Sequence, residues 1–530
     1  RAAGPGYDLP AATFAGEGAR AVTRGDLGAV DAGAAYGAAS GLGRLGARLA
    51  GPGALGALVT AVAATAVVPA AAAPFATTLA SGADLLMLPE VLGVRVPEDH
   101  TLVIETRDPV PTLIAESTGR GFRPTPREAV SRWPRRWTLP AHVISSGAFH
   151  LTEWRERDYQ RMVRSPTYWD REHVRLETIT SFSMNDQAAS ANYYFYGGCD
   201  AIAALNVPAS YMPALNGELR GGHAYQDFAV TPYLGSYFYI INTKKHPNVH
   251  FRRALALAVD RIQIPRFLHG GQIGSAQYMP GTPIAQLADA DLAACGVTRD
   301  HPGVASVMEP GTLCYVPPPG LDFDPGRARE ELALARAELG GALPSRITVK
   351  FNSGVELHKL IAEFLQRQWR EILGLDVELE VQEWKTFLTD TRNGQYDVAR
   401  MGWIGGFPDA EAEFLGIYRC ANPDNKPEYC SPEFERYMVL AASTVDRKQR
   451  LKWVYQAERT MIEDAPIVPL YVYSQQHLQK PFVRDLAINL TNAIPFEKAW
   501  IEPAWRTNPK PPMLGQILPA PTADPPGGAR

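Results

Sequence analysis

A strand, an amphipathic helix and a second strand follow one another within about forty residues near the middle of this chain, and that succession fixes its fold class. Ile347–Phe351 (ITVKF) alternates as a strand; Leu357, Leu360, Ile361, Phe364, Leu365, Ile372 and Leu373 recur at helical spacing; Asp376–Val381 (DVELEV) alternates again. Such a unit joins parallel neighbours, because parallel strands need a crossover that a tight turn cannot supply. The chain is therefore read as α/β. Its 530 residues exceed the ~250–300 at which a single core stops growing, so two or three domains are expected.

Other elements are legible on either side. Thr101–Thr106 and Thr178–Phe182 read as short strands, Gly147–Tyr159 as a hairpin or strand pair, and Tyr233–Asn242 (YLGSYFYIIN) as a long aromatic strand. Phe251–Arg261 follows as a helix. The stretch from Ser275 to Gly320 is rich in Gly and Pro and reads as a linker. Asp324 is a good N-cap, Pro325 suits the first turn, and Gly340 stops the helix between. Another helix over 447–463 leads into the buried strand Ile467–Tyr473 (IVPLYVY), and the tail after Trp505 is Pro-rich.

The first eighty residues differ in kind. They are about a third Ala and contain no Lys, Trp, Asn, Gln, Ile or Met. Ala54–Ala76 is weakly apolar and follows Arg44 and Arg48, so it superficially resembles a secretory signal, but Pro69 and its Ala content make it a poor membrane span. Three readings stand: a signal or anchor, a degenerate helical part of the first domain, or shifted-frame sequence. Gly41, Gly43 and Gly46 spell GxGxxG without the preceding strand or following acid that dinucleotide binding needs.

Charge and cysteine content narrow the functions. With 52 basic and 56 acidic residues nothing points to nucleic acid or an anionic membrane, and a neutral or zwitterionic ligand is the easier partner. None of the five cysteines sits in a CxxC, so thiolate metal sites are not expected. Cys295 with Cys314, and Cys420 with Cys430, enclose candidate disulfide loops that would imply an oxidising compartment. Unpaired half-buried thiols are the alternative reading, and Cys199 is left over.

Motifs for hydrolysis, nucleotide phosphates and calcium are missing, and the eleven histidines are scattered. His246 and His250 are four apart, but Pro247 breaks the helix that would align them for a metal. Asp409 with Glu411 or Glu413 reads as solvated loop carboxylates rather than a hydrolytic pair. No catalysis and no cofactor are expected.

Several segments, in order, match a known family: DHTLVIETRDPVP from Asp99, SSGAFHLTEW from Ser145, SPTYWD from Ser165, VHFRRALALAVDR from Val249, ELHKLIAEFLQRQW from Glu356, VQEWKTFL from Val381, YDVARMGW from Tyr396 and APIVPLYVY from Ala465. Over about four-fifths of its length the chain resembles bacterial periplasmic oligopeptide-binding proteins, the family 5 solute-binding components of peptide ABC importers. The resemblance implies a two-lobed clamshell with mixed sheets and an atypical N-terminal part. It also implies capture of an extended oligopeptide for an inner-membrane permease by a monomer outside the cytoplasm, in the periplasm or envelope, with or without a lipid anchor. The alternatives are another solute, such as a cell-wall peptide, an opine-like compound or a metal chelate, and a member that has lost binding.

Lobe I is expected over 91–235 with 1–90 as its atypical front, lobe II over 236–470, a return to lobe I over 471–505 and a tail over 506–530. The crossings fall near Tyr233–Ser236 and Pro469–Tyr473. Trp384, at a strand's carboxyl end, is expected to line the pocket. Arg400 would receive a carboxylate beside Gly402 and Trp403. His358, Asn206 and Tyr233 are further candidates. Where relatives commonly carry an aspartate for the peptide's α-ammonium, this chain has Gly406, and Asp409 is the nearest substitute.

Overall fold

The computed structural model describes residues 93–503 apart from 107–108, 120–121, 185, 203–206, 219–221, 223, 345 and 487. The expectations for the Ala-rich front, its GxGxxG and the Pro-rich tail lie outside the described residues.

The fold is organised by one seven-stranded mixed sheet. Its strands are β1 (Ala201–Ile202), β2 (Phe228–Ile241), β3 (Ile273–Gly274), β4 (Arg346–Asn352), β5 (Asp376–Gln382), β6 (Val398–Ile404) and β7 (Ile467–Gln479). The order is β5-β4-β6-β2-β7-β1, with β3 paired to β7 off this path. β4 is parallel to β5 and β6. β2 is antiparallel to β6 and β7. The expected strand-helix-strand unit is therefore present, with the crossover helix α1 (Glu356–Leu373) between β4 and β5.

β2 and β7 are more than twice the usual strand length and run between two hydrophobic cores. Phe228 and Leu478, at one end, pack with Tyr194, Ile202, Val207, Met212, Leu215 and Tyr225. Tyr237–Ile241 and Ile467–Tyr471, at the other, belong to the much larger core that includes α1 and its Trp369. Trp369 anchors that helix by donating its indole N–H to the Leu255 carbonyl at 2.9 Å. The fold is thus two-lobed, as expected, with β2 and β7 crossing between the lobes. Both segments expected to cross, 233–236 and 469–473, lie on these strands, where the register shifts between Pro469 and Tyr471 and again between Val472 and Ser474. Such irregularities relax the ladder locally.

One expectation fails. The stretch 275–320 is not a linker: it carries a three-stranded sheet, a helix over Asp289–Cys295 and a small core of Ile284, Leu287, Leu292 and Ala305. The Cys295–Cys314 bond ties that helix to the sheet, and its Gly and Pro residues fill turns inside a folded unit. Cys420 is bonded to Cys430, and Cys199 is free.

Candidate functional site

Alternation along β6 decides which of its residues can meet a ligand. Ala399, Met401 and Trp403 are buried, whereas Arg400, Gly402 and Ile404 on the opposite face are partly accessible. Pairing sets Arg400 opposite Tyr239 and Gly402 opposite Tyr237 on β2, and Tyr237 opposite Tyr471 on β7. The result is an aromatic floor. Tyr237 stacks on Tyr471 with centroids 4.7 Å apart, and Tyr473 meets Tyr237 edge-on at 5.8 Å. Gly402 is required here, since a Cβ would collide with the Tyr473 hydroxyl.

The Arg400 guanidinium rests on that floor, 5.1 Å from the Tyr237 ring centroid. It donates to two neutral oxygens, Asn352 Oδ1 at 3.4 Å and Tyr473 Oη at 3.3 Å. His358, on the first turn of α1, is 3% exposed and pairs through Nδ1 with the Tyr237 hydroxyl at 3.1 Å. Burial, reinforced by the Arg400 charge, holds the imidazole well below its usual pKa, so it is neutral at physiological pH. Burial likewise pushes the Tyr237 phenol up.

Arg400, His358 and Tyr473 line a cavity between the two lobes. The small-core lobe supplies Gln187, Val207, Ala209 and Met212; the large-core lobe adds Val355 and Leu357. Its volume is about 40 Å³, room for ~3 waters at ~10–15 Å³ each. A peptide requires the lobes to part.

The remaining candidates are distributed differently. Tyr233 is buried against Tyr473, centroids 6.1 Å apart. Trp384 is half-buried at the start of helix α2 (Trp384–Arg392), stacked on Phe387 at 6.0 Å. It is not among the residues lining the cavity. Trp403 points to the other face of β6 and donates to the Glu413 carbonyl inside the core. Asp409 is 5% exposed and bound to Arg450, so it is neither solvated nor placed to receive a ligand ammonium. Glu411 is drawn into the same buried cluster. Asn206 lies outside the described residues. His246 and His250 pair separately, with Asp397 and with Glu331. Among the described residues no group of three or more His, Cys, Asp or Glu is placed to hold a metal ion.

Sequence reasoning did not name Tyr473, Tyr237 or Asn352 as site residues. Alternation in IVPLYVY does put Tyr471 and Tyr473 on one face. Glu413 was read only as a solvated loop carboxylate, whereas it is buried. It sits on a π-helical turn, Ala410–Phe414, a form that recurs at functional sites, and its Oε2 accepts from the Gly406 N–H at 2.8 Å. A Cβ placed on Gly406 would lie 3.6 Å from that oxygen.

Two lobes joined by paired crossing strands, with a charged and aromatic cleft between them, define a binding protein of the clamshell type. The chain belongs to the bacterial extracellular solute-binding proteins, family 5, whose model for the middle region matches residues 60–425. It is similar to the periplasmic oligopeptide-binding protein OppA of Salmonella typhimurium, 28% identical over 397 residues, covering 74% of this chain and 67% of the relative. The periplasmic murein peptide-binding protein MppA of Escherichia coli is 27% identical over 404 residues, covering 76% and 69%. Among solved structures, Haemophilus influenzae OppA in complex with RPPGFSPFR aligns with TM-score 0.63 and 25% identity, covering 81% of this chain and 80% of that one.

Proposed function

We propose that this chain captures short extended peptides between its two lobes in the cell envelope and hands them to the permease of an ABC importer, without altering them. The observation that carries the reading is Arg400: a guanidinium resting on an aromatic floor, lining an interlobe cavity and surrounded there by neutral hydrogen-bonding groups. A carboxylate there would make stronger, charge-assisted bonds. His358, held neutral beside it, adds no competing charge. Among the described residues no helix is long and apolar enough to cross a membrane, which fits a capture protein working beside a separate permease.

In our reading the opposite end of the peptide meets Glu413. Gly406 stands where relatives commonly have an aspartate, and the Glu413 carboxylate lies beside it, 3.6 Å from where a Cβ on Gly406 would stand. The π-helical turn delivers the charge from seven residues further on, so Gly406 does not imply loss of ammonium recognition. We assign the lobe changes to 233–236 and 469–473, in the middle of β2 and at the register shifts of β7.

Titration calorimetry on refolded, ligand-free protein tests this. Di- to hexapeptides with free termini are expected to bind; heat only from cell-wall peptides would move the assignment there, and no heat from any peptide while another solute binds would overturn it.

A further inference from the structure

Among the described residues, side-chain hydrogen bonds join the small-core lobe to the large-core lobe on two flanks of the cavity. Near the crossing strands, Asn216 donates to the His269 carbonyl at 3.3 Å, and the His269 ring meets Glu218 at 2.9 Å. The residue after His269, Gly270, is itself fastened to β7, accepting from Ser474 Oγ and Gln476 Nε2 at 2.6 Å each. That contact is close to the pivot.

The other contact lies on the side of the cavity formed by α1. Glu356, the first residue of α1, reaches across to Ser210, accepting from its backbone N–H at 3.4 Å and its hydroxyl at 3.3 Å. The two residues are 146 apart in sequence. Their neighbours Ala209, Val355 and Leu357 line the cavity, so the bridge forms part of its rim. Ser210 stands in a short turn, Ala209–Tyr211, that leads directly into the small core through Met212 and Leu215. α1 is bolted to the large core.

We propose that Ser210 and Glu356 form a positioning latch that holds the two lobes closed and sets how fast a ligand leaves. The proposal rests on the reading that the cleft encloses a ligand, but the latch acts on the lobes themselves. Opening must break both bonds, and neither group touches the peptide-binding face of β6. Both bonds are exposed and long, as a contact that opens on every transport cycle requires. The energy expected of two such hydrogen bonds is small enough to be reversible and large enough to shift a closing equilibrium.

The test uses the full chain and variants Glu356→Ala, Glu356→Gln and Ser210→Ala. Small-angle scattering of the ligand-free protein reports closure, and stopped-flow release of trialanine reports the off-rate. Glu356→Ala is expected to enlarge the radius of gyration and to speed release about 3–10-fold. Glu356→Gln keeps an acceptor oxygen and is expected to recover part of both effects, whereas a purely local defect at the start of α1 would not be so graded. Ser210→Ala, which keeps its N–H, is expected to fall between wild type and Glu356→Ala. An unchanged radius of gyration in Glu356→Ala overturns the latch whether or not trialanine binds. Failure of trialanine to bind any variant, with the scattering shift intact, leaves the latch standing and counts against the peptide reading alone.

Discussion

Arg450 and Asp409 form a two-bonded ion pair inside the protein, Nη1 to Oδ2 at 2.6 Å and Nη2 to Oδ1 at 2.8 Å. Their side chains are only 5% and 7% exposed. Glu411 adds a third bond to the same guanidinium at 2.9 Å, and Asp409 also caps the π-helical turn through the Ala412 N–H at 2.7 Å. The pair thereby fixes the turn that carries Glu413.

Removing Asp409 leaves a buried cation with one carboxylate instead of two and an uncapped turn. Asp409→Ala is expected to lower stability by about 3 kcal/mol, the lower end of the range for breaking a buried pair because Glu411 remains. Urea unfolding measures the loss.

Arg400 contributes to binding rather than to folding in this reading. Arg400→Met is expected to weaken a free tripeptide about 10–100-fold, the worth of a charged hydrogen-bonding partner. The same peptide with an amidated carboxyl end loses the partner on the ligand side, so it should scarcely distinguish the two proteins. Calorimetry with both ligands checks the pattern, and an equal loss for both would remove Arg400 from carboxylate recognition.

Glu413→Gln keeps the shape of the side chain and an oxygen for the Gly406 N–H. Peptides with a free amino end are expected to bind about tenfold more weakly to it. N-acetylated peptides should bind wild type and variant alike. A uniform change across both sets would assign Glu413 to the turn alone.

Glu458 has no exposed surface. Burial pushes its carboxyl up to about 7, against the hydrogen bonds that favour ionisation. Tyr315 donates to it at 2.6 Å and the Met279 N–H at 2.9 Å. The folded pKa exceeds the unfolded value, so this group's contribution is complete below about pH 4.5 and is lost as pH rises through 7. Glu458→Gln, which never ionises, is expected to gain on wild type across that window, by up to about 3 kcal/mol above it. Urea midpoints at pH 5 and pH 8 test the sign.

Most of the large-core lobe was legible because its elements are periodic. The helix read over 447–463 differs from the one observed by a single residue, and in the other lobe Thr178–Phe182 matches its strand in both bounds. Strands β2 and β7 were read too short, at 233–242 and 467–473, because their far halves alternate poorly: Thr231, Pro232, Ser474, Gln475 and Gln476 look like loop. These residues are in strand because each long strand pairs with the other through the crossing. That is a tertiary reason with no local signal. The 275–320 segment was misread for a related cause, since a small core stapled by one disulfide needs few apolar residues.

The site divides in the same way. Arg400 stood out because a charge inside the apolar run VARMGW demands a partner, and Gly402 and Trp403 were named for standing beside it. Pleating then separates them: two residues further along the strand, Gly402 shares the face of Arg400 and gives way to Tyr473, while Trp403 turns into the core.

From sequence alone the protein was determined to be α/β, longer than one core, lacking the motifs of known chemistries and similar to family 5 solute-binding proteins, because periodicity, length and residue type are local properties. Only the tertiary structure decided which carboxylate stands beside Gly406, that Asp409 is spent on Arg450, and that Glu356 bridges to Ser210. Those relations join residues that the chain keeps apart, and they depend on where packing brings the elements together.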